Sequence, residues 1–231
     1  MLKLDHVSKI YPNGTHALRD VSLTVQDGEF LFVVGPSGSG KSTILKLLTG
    51  EVEPTQGEIQ VNGFDVSKIR QKDIPYLRRT IGVVFQDFRL IENMTVYENV
   101  AFAMRVIGAR EREIRERVPY VLELVGLETK TRRHPGELSG GEQQRLAIAR
   151  ALVNNPSTII ADEPTGNIDN NLRDDIMDLL LRINRLGKTV IVVTHDEELI
   201  RRYRKRTVEI RAGEIVSDRI GLGDSEGGAQ V

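Results

Sequence analysis

One glycine-rich octapeptide, GPSGSGKS at Gly35–Ser42, constrains the fold more than any other stretch of this chain. It follows the wholly apolar run Phe30–Val34 and precedes the helix-like run Thr43–Leu48. A strand that is apolar on both faces belongs in a sheet covered by helices. The sequence therefore predicts an α/β fold in which this loop joins a central strand to a helix.

The same octapeptide matches the phosphate-loop pattern G-x-x-x-x-G-K-[ST]. The residues expected to surround the phosphates of a nucleotide are Gly35, Pro36, Ser37, Gly38, Ser39, Gly40, Lys41, Ser42 and Thr43. Glycines let backbone amides converge on phosphate oxygens, and the start of the helix adds a positive dipole end. We expect Lys41 to pair with the β- and γ-phosphates and Ser42 to bind Mg²⁺. The competing interpretation is a glycine-rich turn without a ligand.

A second apolar strand, Thr158–Ala161, ends in two acids, Asp162 and Glu163. Ligands of open α/β sheets bind at the carboxyl ends of strands. We expect Asp162 to hold magnesium, through water, and Glu163 to orient and deprotonate an attacking water. Two acids after a strand are more often a solvated strand end, but the phosphate loop upstream favours a site.

The segment LSGGEQQR at Leu138–Arg145 precedes the helical run Leu146–Val153. Ser139 followed three residues later by Glu142 predicts a capping box at the start of that helix. Two glycines there let backbone amides approach an anion. Read alone, the segment could be a plain capped helix. The complete string resembles the signature of the ATP-binding cassette (ABC) ATPases.

Further segments resemble the same family, in the order that the family requires. The resemblance implies a magnesium- and water-contacting glutamine at Gln86, a D-loop at Gly166–Asp169 with Asp169 at the nucleotide, a switch histidine at His195 and an adenine-stacking aromatic at Tyr11. It implies ATP with Mg²⁺ as the ligand and ATP hydrolysis as the reaction, with Glu163, His195, Gln86 and Lys41 catalytic. The implied magnesium ligands are Ser42, Gln86 and Asp162.

The family resemblance also implies a fold and an assembly. The fold is a P-loop NTPase (RecA-like) core with an N-terminal antiparallel β subdomain and an inserted helical subdomain. Two cassettes stack head to tail, so that the signature of one chain covers the γ-phosphate held by the other. The signature residues expected at the nucleotide are Ser139, Gly140, Gly141 and Glu142. A chain with one cassette is therefore expected either to dimerise or to pair with a second cassette, and the assembly we expect is a homodimer around ATP.

The stretch from 87 to 157 differs from the remainder of the chain, because it is charged, helical in period and poor in strand signals. We interpret it as a helical subdomain inserted between residues 1–86 and 158–220 of a nucleotide-binding core. The alternative is a set of ordinary crossover helices in one continuous sheet. The glycine-rich end at 221–231 predicts a disordered tail.

Composition limits the partners. A net charge of −1 provides no basic field for nucleic acid, so no nucleic-acid partner is expected. The chain has no cysteine, which excludes disulfides and thiolate metal sites. Its apolar runs are strand-sized, well short of the about 20 residues of a membrane span. A membrane role is therefore expected only through a partner.

Two long segments, FQDFRLIENMTVYENVAFAMRVIG and ARALVNNPSTIIADEPTGNID, resemble a bacterial cell-division branch of the ABC ATPases. That branch implies a polytopic membrane partner, FtsX, a possible link to FtsZ, and a peripheral location on the cytoplasmic face of the membrane at the division site. The partner is expected to meet an apolar patch made of Phe88, Leu90, Met94, Val96 and Tyr97, unless these are core residues. Lipoprotein-release or macrolide-export ATPases, and a nucleotide-gated dimerising scaffold, are the alternatives.

Overall fold

The computed structural model describes residues 1–168 and 170–220 of the 231-residue chain. The strands are β1 (Leu2–Ile10), β2 (His16–Val25), β3 (Phe30–Val34), β4 (Gln56–Val61), β5 (Phe64–Asp65), β6 (Ile81–Val84), β7 (Thr158–Asp162), β8 (Thr189–Val193), β9 (Arg206–Arg211) and β10 (Glu214–Arg219). The α-helices are α1 (Lys41–Leu48), α2 (Ile74–Arg79), α3 (Val96–Val106), α4 (Glu111–Leu124), α5 (Gly140–Leu152), α6 (Asn170–Arg185) and α7 (Glu197–Tyr203). The predicted tail at 221–231 lies outside the described residues.

Two compact units make up the chain. The first comprises Met1–Arg78 and Ile191–Val231, and the second comprises Arg79–Val190. The second unit is wider than the helical stretch 87–157, because it also contains the strands β6 and β7. The narrower subdomain boundaries remain a prediction from the sequence.

An antiparallel sheet forms the N-terminal part of the first unit, with strand order β2-β1-β4-β5. Leu2 at the start of β1 pairs with Val25 of β2 on one side and with Val61 of β4 on the other. Alternate residues of β1, such as Leu2 and Leu4, are buried, as expected for a sheet with one face on the core. This sheet is the antiparallel β subdomain that the family resemblance implies.

The phosphate-loop strand β3 lies in the second sheet of the first unit, in the order β10-β9-β3-β8. It runs parallel to β9, with Leu31 opposite Arg206 and Val34 opposite Glu209. The side chains from Phe30 to Val33 are all buried, on both faces of the strand. This is the pattern expected for a strand in a sheet that is covered on both faces. The edge strand β10 is antiparallel to β9.

The second unit combines parallel strands with helices. Strand β6 pairs in parallel with β7 along its whole length, from Ile81 opposite Thr158 to Val84 opposite Ala161. Helices α3, α4 and α5 pack together in this unit, and α5 also packs on β6. Residues 86–157 contain no strand, as the sequence pattern predicts. Within the described residues, every helix is too short or too polar to cross a membrane.

Candidate functional site

The glycine-rich loop joins β3 to α1 in the first unit, as predicted. Gly35 and Gly40 have φ angles of 147° and 113°, which residues with a Cβ atom rarely adopt. A Cβ at Gly35 would lie 2.1 Å from the carbonyl oxygen of Ile210, and one at Gly40 would lie 2.6 Å from that of Ala17. Both glycines are therefore needed for the path of the loop.

The residues of this loop fit a phosphate group. Lys41 Nζ folds over the loop and donates to the carbonyl oxygens of Gly35, at 2.6 Å, and Pro36, at 2.9 Å. Ser39 Oγ is buried and has no hydrogen-bond partner among the described residues. Such an orphaned hydroxyl is uncommon and fits a donor for an oxygen-rich ligand. Ser42, on the first turn of α1, is exposed to solvent.

Tyr11 lies beside the first turn of α1. Its hydroxyl is 3.4 Å from Thr43 Oγ1, and its ring is half-buried. The ring is held in the β1–β2 connection by two backbone hydrogen bonds, one of them from Tyr11 N to the oxygen of Thr15 at 2.9 Å. Lys9 Nζ lies 5.3 Å from the ring centroid. The structure thus brings an aromatic face into the same unit as the phosphate loop.

His195 follows β8 and is exposed. The preceding residue, Thr194, is fully buried and donates its backbone N–H to the oxygen of Val33, at 3.1 Å. The following residue, Asp196, caps α7 by accepting hydrogen bonds from backbone amides of the first turn. His195 therefore sits at the carboxyl end of β8, beside the end of the phosphate-loop strand.

In the second unit, the two predicted acids lie at the carboxyl end of β7, and both are half-buried. Glu163 has a φ angle of 47°, in the left-handed region that non-glycine residues seldom occupy. Its carbonyl oxygen accepts a hydrogen bond from Gly166 N at 3.0 Å, which closes a tight turn. Backbone strain of this kind is concentrated at functional sites and costs about 1–3 kcal/mol.

Gln86 follows β6, the neighbour of β7, and its side chain is exposed. Asn167 Nδ2 donates to the carbonyl oxygen of Gln86 at 2.9 Å. A Cβ at Gly166 would lie 3.0 Å from Gln86 Nε2, so glycine at that position admits the glutamine side chain. The turns after β6 and β7 are thus joined within one unit. Asp169, the remaining predicted D-loop residue, lies outside the described residues.

The predicted capping box at the signature is present. Ser139 is the N-cap of α5: its hydroxyl accepts from Glu142 N at 3.4 Å, and its backbone N–H donates to Glu142 Oε2 at 3.0 Å. The ammonium of Lys130 forms an ion pair with the same carboxylate. The hydrogen bond from Lys130, followed by that from Ser139 N, holds the pKa of Glu142 below its usual range. Glu142 thus stabilises the start of α5, where the signature lies. Its expected contact with a nucleotide remains a prediction.

The apolar patch predicted after Gln86 is only partly exposed. Val96 is fully buried, so this residue belongs to the core of the second unit. The other four predicted members are half-buried. Helix α3 exposes two apolar side chains that the sequence interpretation did not include, Phe102 at 40% and Val106 at 67%.

Sequence reasoning missed two residues that shape the site. Asn167 lies inside the predicted D-loop, but only the structure shows its bond to Gln86. Arg150, near the end of α5, donates from Nη2 to the oxygen of Phe88 at 2.8 Å and from Nη1 to the oxygen of Arg89. Nothing in the local pattern distinguishes Arg150 from any polar residue of an amphipathic helix.

Among the described residues, no three His, Cys, Asp or Glu side chains converge to form a metal site. Magnesium usually keeps several waters and binds through one or two protein ligands together with substrate phosphates. The predicted donors, a hydroxyl on Ser42, a carboxylate on Asp162 and an amide on Gln86, are hard oxygen ligands that suit this mode.

Comparison with known proteins gives a consistent result. The family model described as ABC transporter matches residues 18–166. The chain is 53% identical over 218 residues to the cell division ATP-binding protein FtsE of Streptococcus pneumoniae serotype 2, covering 94% of this chain and 95% of that protein. It is 45% identical over 215 residues to the FtsE of Escherichia coli strain K12, covering 93% and 97%.

A solved structure, the dimer of the bacterial ABC transporter cassette MJ0796, superposes with a TM-score of 0.85 at 39% identity, covering 95% of this chain and 98% of that one. A second MJ0796 dimer, in a post-hydrolysis state with ADP and Pi, gives the same values. Because the motifs, the fold and nearly full-length relatives agree, the chain belongs to the ABC transporter ATP-binding family, with the FtsE cell-division proteins among its relatives.

Proposed function

We propose that the chain is the ATP-binding and ATP-hydrolysing subunit of an FtsEX-type complex, in which it drives the membrane protein FtsX during bacterial cell division. The observation that carries this proposal is the 53% identity to an FtsE over 94% of the chain. Every part of the ABC motif set that falls in the described residues lies at a strand end or a helix start, where such chemistry is performed. The names of these relatives favour cell division over lipoprotein release or macrolide export.

The first unit binds the nucleotide. The loop amides from Gly38 to Ser42 and the ammonium of Lys41 hold the phosphate oxygens, and the ring of Tyr11 stacks on adenine. The residues that would hold magnesium, as the family resemblance implies, are Ser42, Asp162 and Gln86. When bound, that ion supplies neutralisation of the charge on the phosphate oxygens.

The remaining groups act on the water and the proton. Glu163 accepts the proton of the attacking water at a carboxylate oxygen, and the amide of Gln86 orients that water. The imidazole of His195 donates to an oxygen of the γ-phosphate. Each of these three residues lies one or two positions after the end of a largely buried strand, β6, β7 or β8.

The assembly is a homodimer, in line with the dimeric cassette that this chain resembles. We place the two chains head to tail, so that Ser139, Gly140 and Gly141 of one chain face the γ-phosphate held by the other. The start of α5 offers free backbone amides and a positive dipole end for that anion.

Replacing the proposed base tests the enzymatic part of the proposal. Glu163→Gln keeps the shape of the side chain but removes its basicity, so turnover should fall at least about a hundredfold while ATP binding is retained. Turnover is measured as phosphate release, and binding as the affinity for labelled ATP. The exposed helix residue Glu123 provides the control Glu123→Gln, which should behave as wild type. Normal turnover in Glu163→Gln would refute the assignment of the base.

Membrane recruitment tests the partner. The chain is expected at the cytoplasmic face of the membrane, at the division site, only when FtsX is present, with any link to FtsZ following from that recruitment. In the basic run at 201–206, Arg201 pairs with Glu197 and Arg206 pairs with Glu29 and Asp218, which reduces the charge that these two residues offer to anionic lipid. Fluorescently labelled protein should therefore leave the membrane on deletion of FtsX. Recruitment that persists would point to lipid binding.

Division assays separate this proposal from a scaffold role. If dimerisation alone were the output, a variant trapped as an ATP-bound dimer would support division as well as wild type does. We expect Glu163→Gln to fail in that assay, because its dimer does not turn over.

A further inference from the structure

The segment after Gln86 is held in an unusual backbone conformation. Phe88 and Arg89 have φ angles of 54° and 50°, two consecutive residues in the left-handed region. Neither is a glycine, so this conformation costs free energy and needs support from its surroundings. The carbonyl oxygens of both residues accept hydrogen bonds from one side chain, the guanidinium of Arg150.

Arg150 belongs to the helix that begins at the signature. It lies on α5, ten residues after Gly140, and it is half-buried. A guanidinium carries donors in a rigid planar fork and can bind two neighbouring carbonyl oxygens at once. Because that fork is rigid, a displacement of α5 relative to the segment would break both hydrogen bonds together.

A second contact fixes the same helix to the strand that leads to Gln86. A Cβ at Gly82 of β6 would lie 2.5 Å from the carbonyl oxygen of Ala151, so α5 rests directly on the strand. Gln86 is therefore held upstream through Gly82 and downstream through the Arg150 fork. Asn167 adds a third restraint, because its side-chain amide donates a hydrogen bond to the carbonyl oxygen of Gln86.

We propose that Arg150 is a positioning residue for catalysis, which sets the orientation of Gln86 by fixing the two left-handed residues after it to the signature helix. The inference rests on the proposed role of Gln86 in orienting the water. Loss of the fork lets Phe88 and Arg89 relax to ordinary backbone angles, and this relaxation rotates the chain that follows Gln86. A misplacement of about 1 Å at a group that orients a reactant can reduce the rate by up to about a hundredfold.

A double-mutant cycle separates positioning from a general effect on stability. Arg150→Ala should lower kcat for ATP hydrolysis about tenfold and change KM for ATP less than about twofold, because the phosphate loop is untouched. Gln86→Ala should lower kcat by a similar factor or more. In the Gln86→Ala background, Arg150→Ala should cause little further loss, because Arg150 acts through Gln86. Arg150→Lys should recover only part of kcat, since an ammonium lacks the planar fork.

Arg117 supplies a matched control. This arginine of α4 also donates to backbone oxygens at the end of α5, those of Val153 at 3.1 Å and Leu152 at 3.4 Å, but not to the segment after Gln86. Arg117→Ala should lower the melting temperature as much as Arg150→Ala does and leave kcat within about twofold of wild type.

The outcomes distinguish the two proposals. An additive loss in the double variant, or an equal loss of kcat in Arg117→Ala, would overturn the positioning role and leave the role of Gln86 intact. If Gln86→Ala itself retains full kcat, then the proposed function of Gln86 fails first. A normal kcat in Arg150→Ala, together with a reduced kcat in Gln86→Ala, would refute the positioning role alone.

Discussion

At the scale of single residues, the site depends on backbone angles as much as on side-chain chemistry. The glycines at Gly35 and Gly40 are predictable, because the phosphate-loop pattern demands them and the structure leaves no room for a Cβ. The left-handed conformation of Glu163 is not predictable, because no sequence rule places a glutamate at a φ of 47°. It follows from the turn closed by Gly166.

This conformation predicts a difference between two variants that both lack the carboxylate. Glycine occupies the left-handed region without the steric cost that a Cβ imposes. The free energy of unfolding of Glu163→Gly should therefore be about 1 kcal/mol higher than that of Glu163→Ala, so the glycine variant is the more stable one. In an ordinary strand or helix the order is the reverse. Urea denaturation of the two variants measures the difference. Equal stabilities, or a more stable alanine variant, would show that Glu163 carries no strain.

At the scale of elements, apolar runs and capping patterns in the sequence predict where strands and helices begin and end. Strands β3 and β8 begin and end where the runs FLFVV and TVIVV do, because such runs need cover on both faces. The capping box at Ser139 is readable from the sequence, and the structure contains it. The two-residue strand β5 is missed, because it is too short to show a period.

The ion pair at the signature predicts a pH dependence of stability. The hydrogen bond from Lys130 holds the pKa of Glu142 below its ordinary value of 4.5. The pair therefore stabilises the fold fully at pH values above 4.5. This contribution is lost as the pH falls through the lower pKa that Glu142 has in the folded state. Glu142→Gln keeps the capping geometry and removes only the charge. At pH 7 it should cost on the order of 1 kcal/mol after solvent screening.

Urea titrations of wild type and Glu142→Gln, repeated from pH 7 down to pH 3.5, follow this difference. The difference in unfolding free energy between wild type and Glu142→Gln should narrow as the pH falls. The control Glu123→Gln, at an exposed residue, should unfold with the same free energy as wild type at neutral pH. A gap that stays constant or widens towards acid would contradict the pairing of Glu142 with Lys130.

At the scale of the whole molecule, the order of motifs is enough to predict the family and the fold, because each motif needs its own strand end or helix start. The bonds that join those motifs inside the second unit are not predictable in the same way. Arg150 reaches residues 61 and 62 positions away, and Asn167 reaches Gln86 across 81 positions. Side-chain hydrogen bonds to the backbone of distant segments leave no periodic pattern in a sequence.

The central claim is that one chain supplies only half of a hydrolytic site and that a second chain supplies the signature. Gly140→Asp tests it with little disturbance of the fold, because a Cβ at Gly140 would meet only the oxygen of Asn167, at 3.4 Å. A carboxylate on the first turn of α5 also favours the helix, whereas it repels the γ-phosphate of a partner chain.

The decisive measurement is the molar mass, by light scattering, of Glu163→Gln with and without Gly140→Asp in the presence of ATP and Mg²⁺. We predict that Glu163→Gln has the mass of two chains, and that the double variant has the mass of one chain while its ATP affinity is unchanged. A double variant that still dimerises on ATP, or a Glu163→Gln chain that binds ATP and remains a monomer, would contradict the account.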